Sequence, residues 1–337
     1  MTEDIRIRLL GPVSALRGDT EIDLGSPRMQ AVLAVLASRA GRVVSMARII
    51  DDVWGDDPPR TAEQSVYTYV AGLRKALEPS RNRRERSGLL AGDTGGYLLH
   101  LDPCQVDSTL FLRQVDSARR LTDQGGYDEA LCSVDTALSL WRGEALTGVA
   151  GPFADAERAR LADHHLTAAE HRTETLLRLG RPHDALMSLR DLTHRHPIRE
   201  RLRELLMLAL FQCGRRAEAL AVFEEGRRIL RDELGVDPGE SLRRSHELVL
   251  GNEPTRPDRH PIDPLWIPGG DTAALPAGPG ARDGVPPVPR PADGMSSVPR
   301  QLPRDLAGFV GRVKEIVRLK SLLAPWDGAP PNPLVVI

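Results

Sequence analysis

The apolar positions of this chain change period as it runs. Between residues 5 and 24 they form three short extended runs, IRIRLL, VSALR and TEIDL, punctuated by Gly11-Pro12 and Gly18-Asp19. This predicts a small antiparallel sheet. From Ser26 the spacing becomes helical. SPRMQAVLAVLASRA opens on a serine cap with proline in the first position, and Gly41 closes it. SMARIIDDVWG follows from Ser45 to Gly55, then the loop GDDPPR, and Thr61 caps a third helix, TAEQSVYTYVAGLRKAL. RSGLLAGDTGGYLLHLD returns to a strand-like pattern and reads as a hairpin turning between Gly92 and Gly96. The predicted order is sheet, helix, helix, helix, hairpin.

From about residue 107 to 250 the pattern is helical throughout, and it repeats. A glycine is followed four residues later by an acid and then by Ala-Leu, at Gly125–Glu129-Ala130-Leu131, Gly180–Asp184-Ala185-Leu186 and Gly214–Glu218-Ala219-Leu220. Gly180 and Gly214 lie 34 residues apart, the tetratricopeptide period. In that arrangement the glycine turns the chain between antiparallel helices and the alanine lets them approach. Phe223 fits the repeat's aromatic position and Pro197 its terminal proline. The first interval is 55 residues, so one repeat carries an insertion, assigned to WRGEALTGVAGPF.

Residues 251–304 hold thirteen prolines and read as a disordered linker. FVGRVKEIVRLKSLL and then PNPLVVI end the chain inside a strand-like run, so more protein is expected to follow. Four segments result: 1–106, 107–250, the linker 251–304, and 305–337.

The third helix carries the candidate chemistry. On a wheel, Ala62, Val70, Leu73 and Leu77 fall within about 40° of Val66, and Tyr69 flanks this stripe. Gln64, Thr68, Ala71 and Lys75 lie opposite, with Tyr67 and Arg74 at one edge. Such a face is ordinarily just solvated. Amide, hydroxyl, methyl and cation are nevertheless what base edges in a major groove require: Gln for adenine, Arg or Lys for guanine, Ala or the Thr methyl for thymine. Charge strengthens this reading. The net charge of −2 is uneven, because Arg74, Lys75, Arg81, Arg83, Arg84 and Arg86 face only Glu78 and Glu85 between residues 74 and 86. The basic run leads into the hairpin, which acts as a wing, and Tyr97 just past its turn is expected to reach DNA backbone or minor groove.

Composition excludes more than it assigns. Aromatics are 4% of the chain, which favours Leu- and Ala-packed helices over a β-sandwich. No apolar run approaches a membrane span and the N-terminus lacks a signal core, so a cytoplasmic, nucleoid-associated location is expected. Cys104, Cys132 and Cys213 have no metal-ligand spacing and are expected to be reduced and mostly buried. His164-His165 and the pair His194 and His196 make poor chelates. No paired carboxylates, nucleophile–base set or phosphate loop is present, so no catalytic residue is assigned.

These segments resemble a known family. LGPVSALRG, VWG, VYTYVAGLRKAL and GGYLLHLD are similar to the OmpR-type winged helix-turn-helix domain. ALSLWRGEAL, GPFADAERARL, RLGRPHDAL, HPIRERL and RDELGVDPGESLRRSHELVL are similar to the bacterial transcriptional activator domain. Together, over about residues 5–250, they resemble the Streptomyces antibiotic regulatory proteins. FVGR and PLVVI resemble the entry to the STAND-type (NB-ARC) ATPase domain of large, AfsR-like members. No GxxxxGK[ST] follows here, so ATP and magnesium are expected only for a further C-terminal domain, and this chain is expected to need no cofactor.

The resemblance implies a mainly α protein: a small N-terminal β-sheet, three helices and a wing, followed by an all-α tetratricopeptide-like domain. It implies an activator of antibiotic biosynthesis genes that binds direct repeats of double-stranded promoter DNA near the −35 element. A second protomer and RNA polymerase holoenzyme, through its sigma factor or alpha subunit, are the implied partners. Gln64, Tyr67, Thr68, Ala71, Arg74 and Lys75 match the recognition helix, and Tyr97 the wing. Asp56, Asp57 and Arg60 lie in the loop that such activators present to polymerase. The alternative is a protein-interaction scaffold built on the helical repeats; an ATPase would need residues this chain lacks.

Overall fold

The computed structural model describes residues 5–79, 87–93 and 95–251. The basic residues Arg81, Arg83, Arg84 and Arg86, the proposed linker after Gly251 and the segment 305–337 lie outside them. The described residues are mainly helical, as expected.

Strands β1 (Ile5–Arg8), β2 (Ser14–Arg17) and β3 (Thr20–Ile22) pair antiparallel in that order, with Ile7 opposite Ala15 and Ala15 opposite Ile22. Helix α1 (Pro27–Ala37) starts on the Ser26 cap with proline at its first position. Its residues from Ala31 to Ala37 are all buried, so α1 is the central post of the N-terminal core. It stops short of the predicted end. The Ser38 hydroxyl donates to the Val35 carbonyl, and Arg39 and Ala40 close three-residue turns, so the segment before Gly41 unwinds.

Strand β4 (Val43–Ser45) was not legible in the sequence; it pairs with the hairpin β5 (Leu90–Asp93) and β6 (Gly96–Leu99) in the order β4-β6-β5. Helix α2 (Met46–Trp54) starts on Ser45, whose hydroxyl accepts from the Arg48 N–H, and ends at Gly55. Helix α3 (Ala62–Leu77) buries Ala62, Val66, Val70, Leu73 and Leu77, the stripe predicted for it. Thr61 precedes it without a side-chain capping bond, which corrects the predicted cap. Instead the Thr61 carbonyl accepts from the Ser65 hydroxyl.

The helical region pairs α4 (Asp107–Asp123) with α5 (Tyr127–Ser139), α6 (Pro152–Arg178) with α7 (Pro182–Arg195), and α8 (Glu200–Gln212) with α9 (Arg216–Leu234), and ends in α10 (Glu240–Leu250). Gly125, Gly180 and Gly214 stand between the members of each pair with φ of +82°, +68° and +74°. That left-handed conformation suits glycine and lets the helices double back. Ala130, Ala185 and Ala219 of the repeat signature are fully buried at the helix contacts. Phe223 stacks on His246 at 3.8 Å. The thiols depart from expectation: Cys104 and Cys132 are exposed and Cys213 is partly so. Cys104 and Cys132 lie on outward faces, while Cys213 packs partly against the helical core at the end of α8.

The stretch between α5 and α6 does not loop into solvent. It lies along the N-terminal sheet: the Arg142 N–H donates to the Leu10 carbonyl and the Leu146 N–H to the Leu9 carbonyl, both at 2.9 Å, and the Thr147 N–H to Gly11 at 3.1 Å. Leu146 adopts φ +56° and is fully buried. That backbone is costly for a leucine, so the burial and the bond to Leu9 hold it there. Leu146, Val149 and Ala154 belong to the core built around α1, and Leu10, just past β1, belongs to the helical core. The two cores are stitched by exchange.

At the centre of the seam sits Asp107, the first residue of α4. Its buried carboxylate accepts from the Leu9 N–H at 2.6 Å and the Leu10 N–H at 3.2 Å, and pairs with Arg142 Nη2 at 2.8 Å. Beside it, α2 packs on the start of α6. Arg39 lies over the Phe153 ring at 5.2 Å and pairs with buried Asp52 at 3.0 Å. Gly151 passes so close that an added Cβ would stand 2.7 Å from the Val53 carbonyl oxygen.

Replacing Asp107 by alanine leaves two buried N–H groups without an acceptor and Arg142 without its partner. Asp107→Ala is expected to cost about 2–4 kcal/mol in denaturant unfolding, and Asp107→Asn less. An alanine variant within about 0.5 kcal/mol of the parent would show that the seam does not depend on this carboxylate.

Candidate nucleic-acid interface

Helix α3 owes its attitude to packing on two sides. Gly72 sits against α1, where an added Cβ would meet Met29 Cε at 2.5 Å. Tyr69 stacks on Trp54 of α2 at 6.4 Å, and Arg28 lies over the same Trp54 ring at 5.6 Å while donating to the Val53 carbonyl. These contacts turn the opposite face outward. Gln64, Tyr67, Thr68, Ala71 and Lys75 are exposed, Tyr67 by 50%, and Arg74 is half-buried at the edge. The Thr68 hydroxyl donates to the Gln64 carbonyl at 2.9 Å, so its proton is engaged and it offers outward only lone pairs and a methyl group. Glu63 in the first turn and Arg74 and Lys75 in the last suit the helix dipole.

The C-terminal end of α3 is tied to the hairpin by side chains one turn apart. Arg74 Nε donates to the Leu90 carbonyl at 2.9 Å, and its guanidinium lies 5.6 Å from the Tyr97 ring centre. Glu78, the residue that ends the helix, accepts from the Gly88 and Leu89 N–H groups at 2.9 and 3.1 Å and from the Ser87 hydroxyl. From the other side, Arg17 on β2 donates to the Leu77 carbonyl at 2.9 Å. Sequence reasoning missed Glu78 and Arg17, treating Glu78 only as a counter-charge. Its position four residues after Arg74, just ahead of the hairpin, was the available signal.

Tyr97 requires a correction. Its ring is only 6% exposed and belongs to the core around α1, so it does not project from the wing toward a ligand. As a β6 residue opposite Val44 of β4, it faces inward because the alternation of the strand directs it there. Burial pushes its phenol above the usual value, opposed by the Arg74 charge and reinforced by Tyr67. Arg74 likewise shifts in role, from the exposed face to a strut between α3 and β5. The loop residues Asp56, Asp57 and Arg60 are all exposed between α2 and α3. The face can therefore present one amide, one phenol, one hydroxyl acceptor, two methyl groups and one ammonium group, on a helix fixed at its far end.

If Arg74 is a strut, its loss should be felt in the wing without any ligand present. Arg74→Ala should speed amide hydrogen exchange across Leu90–Asp93 and Gly96–Leu99 by about tenfold, and Arg74→Lys should not restore it, because lysine lacks the Nε geometry. Lys75→Ala should leave that exchange unchanged. Equal exchange in all three variants would remove the strut.

Comparison with known proteins agrees with this architecture. The family described as "Transcriptional regulatory protein, C terminal" matches residues 19–99, and the "Bacterial transcriptional activator domain" matches residues 106–250. Regulatory protein DnrI of Streptomyces peucetius is 36% identical over 255 residues, covering 74% of this chain and 93% of DnrI. Regulatory protein AfsR of Streptomyces griseus is 36% identical over 325 residues, covering 96% of this chain, which spans 30% of the length of AfsR. Among solved structures, Mycobacterium tuberculosis EmbR, in complex with a low affinity phosphopeptide, superposes with a TM-score of 0.71 at 29% identity, covering 74% of this chain and 66% of that one. Winged N-terminal domain and helical repeat region thus occur together in one chain, alongside a match that covers 93% of DnrI, and the chain belongs to the Streptomyces antibiotic regulatory protein family of transcriptional regulators.

Proposed function

We propose that this chain is a sequence-specific DNA-binding activator that inserts α3 in the major groove of promoter DNA. The observation that carries this reading is the outward face of α3, with Gln64, Tyr67, Thr68, Ala71 and Lys75 exposed on a helix braced by Arg17, Arg74 and Glu78. Gln64 pairs with adenine, Lys75 with guanine or phosphate, and the methyl groups of Thr68 and Ala71 meet thymine. Arg74 positions the wing, and the basic run Arg81, Arg83, Arg84 and Arg86 adds backbone contacts. Two protomers occupy direct repeats near the −35 element, head to tail, and recruit RNA polymerase. The exposed loop with Asp56, Asp57 and Arg60 faces the sigma factor or alpha subunit. No catalytic step and no nucleotide are assigned to these residues.

A footprinting titration against salt tests the reading. Lys75→Ala should weaken binding by about 1–3 kcal/mol at one base position if its contact is to a base edge. If the contact is to phosphate, binding should fall on all sequences and the salt slope should shrink by about one. Repeats spaced at roughly 10–10.5 bp should load cooperatively, and an insertion of half a turn should abolish this. An unchanged titration by folded Lys75→Ala, or equal loading at both spacings, would sink the arrangement.

The loop has a separate signature. Asp56→Asn with Asp57→Asn, which takes away two negative charges and adds no cation beside the DNA, should leave DNA affinity undiminished, yet lower transcription in a purified polymerase system severalfold. Full activation by that double variant would remove the loop from the polymerase contact.

A further inference from the structure

Helices α7, α8 and α9 enclose a groove of about 620 Å³, a size usual for small-ligand sites. Its floor is apolar, with Leu206 and Leu210 from α8 and Val222 and Ile229 from α9. Arg203 of α8 lines it too. This arginine is only 2% exposed, and its Nη1 is buried without a hydrogen-bond partner. Nε donates to the Pro197 carbonyl at 3.0 Å. Nη1 forms an ion pair with the Glu225 carboxylate at 3.7 Å, on a largely exposed side chain, a separation too long for a hydrogen bond, so an entering carboxylate takes the place of Glu225 beside it. On the facing helix, Thr193 is 7% exposed, lines the same groove, and holds an Oγ1 that is also without a partner.

A buried guanidinium cannot shed its charge, and an unpaired buried N–H is costly. A methionine would fill the same space without that cost. The fold nevertheless makes room for the arginine: an added Cβ at Gly226 would stand 2.7 Å from Arg203 Cδ, so α9 approaches only because position 226 has no side chain. Burial also pulls the guanidinium below its usual pKa, with Glu225 opposing. Two unsatisfied polar groups over a hydrocarbon floor match a molecule with acceptor oxygens at one end and an apolar body. A guanidinium and a hydroxyl suit a carboxylate. The groove also carries Glu218 and Glu225, while Arg190 is already paired with Glu218 at 3.0 Å, which disfavours a dianion such as phosphate.

We infer that this groove is a binding site for an apolar carboxylate, held by Arg203 Nη1 and Thr193 Oγ1 with its hydrocarbon part on Leu206, Leu210, Val222 and Ile229. The inference stands apart from the DNA-reading face, which lies on a different element. The carboxylate has two possible sources, a free small acid or the C-terminus of a peptide ending in an aliphatic residue.

Calorimetric titration of the full chain separates them, with octanoate against octanamide, and a tetrapeptide ending in leucine as free acid against its amide. Each acid that enters should bind about tenfold more tightly than its amide, the worth of one charge-assisted hydrogen bond. Octanoate binding ahead of the peptide identifies a small acid; the reverse order identifies a chain end. Arg203→Met should erase the preference for acid over amide. Thr193→Val, which keeps the guanidinium, should weaken the acid about three- to tenfold and serves as the test if the methionine variant does not fold. Equal binding of acid and amide, no binding of either acid at millimolar concentration, or unchanged affinity in folded Thr193→Val overturns the inference.

Discussion

The rest of the described structure depends on one buried carboxylate. Asp107 opens α4 and holds the backbone N–H groups of Leu9 and Leu10, whose strand ends there, while Arg142 completes its shell. An ordinary linker would let a winged domain and a helical domain move independently. Here the hydrogen bonds from Arg142, Leu146 and Thr147 to residues 9–11 make a short extra ladder beside that carboxylate. Polar groups buried in this way are satisfied in only one relative placement, so the seam specifies geometry as well as stability.

A second constraint acts on α3 itself. Arg17, Arg74 and Glu78 fix the end of α3 and the start of the hairpin through backbone groups. Side chains tied up in this bracing are withheld from the outward face of the helix. What remains outward is Gln64, Tyr67, Thr68, Ala71 and Lys75, with a single cation among them.

The sequence was most legible where the cause is local. The stripe Ala62, Val66, Val70, Leu73 and Leu77 follows from helical spacing alone, and Gly125, Gly180 and Gly214 are turn signals in their own right. The Ser26 and Ser45 caps were readable for the same reason. Where the cause is distant, local pattern failed. β4 is three residues long and exists because β6, some fifty residues on, pairs with it. Tyr97 looked like a wing residue because its turn was visible and its core was not. Thr61 is a good capping residue by type, but the backbone there turns with φ −99° and ψ 20°, away from the extended cap geometry of Ser26 and Ser45. The stretch WRGEALTGVAGPF was recognisable as an insertion, yet nothing in its own residues announced that Leu146 and Val149 would complete another domain's core.

That last feature bears on how the chain folds as it is made. Domains that close on local contacts can form from the N-terminus as synthesis proceeds. This one cannot finish that way, because the core around α1 receives Leu146, Val149 and Ala154 from beyond α5. Contacts of such long sequence separation form late. Helix α3 therefore gains its complete support only once α4, α5 and the start of α6 have left the ribosome, and a chain released early carries the outward face of α3 on an unfinished frame.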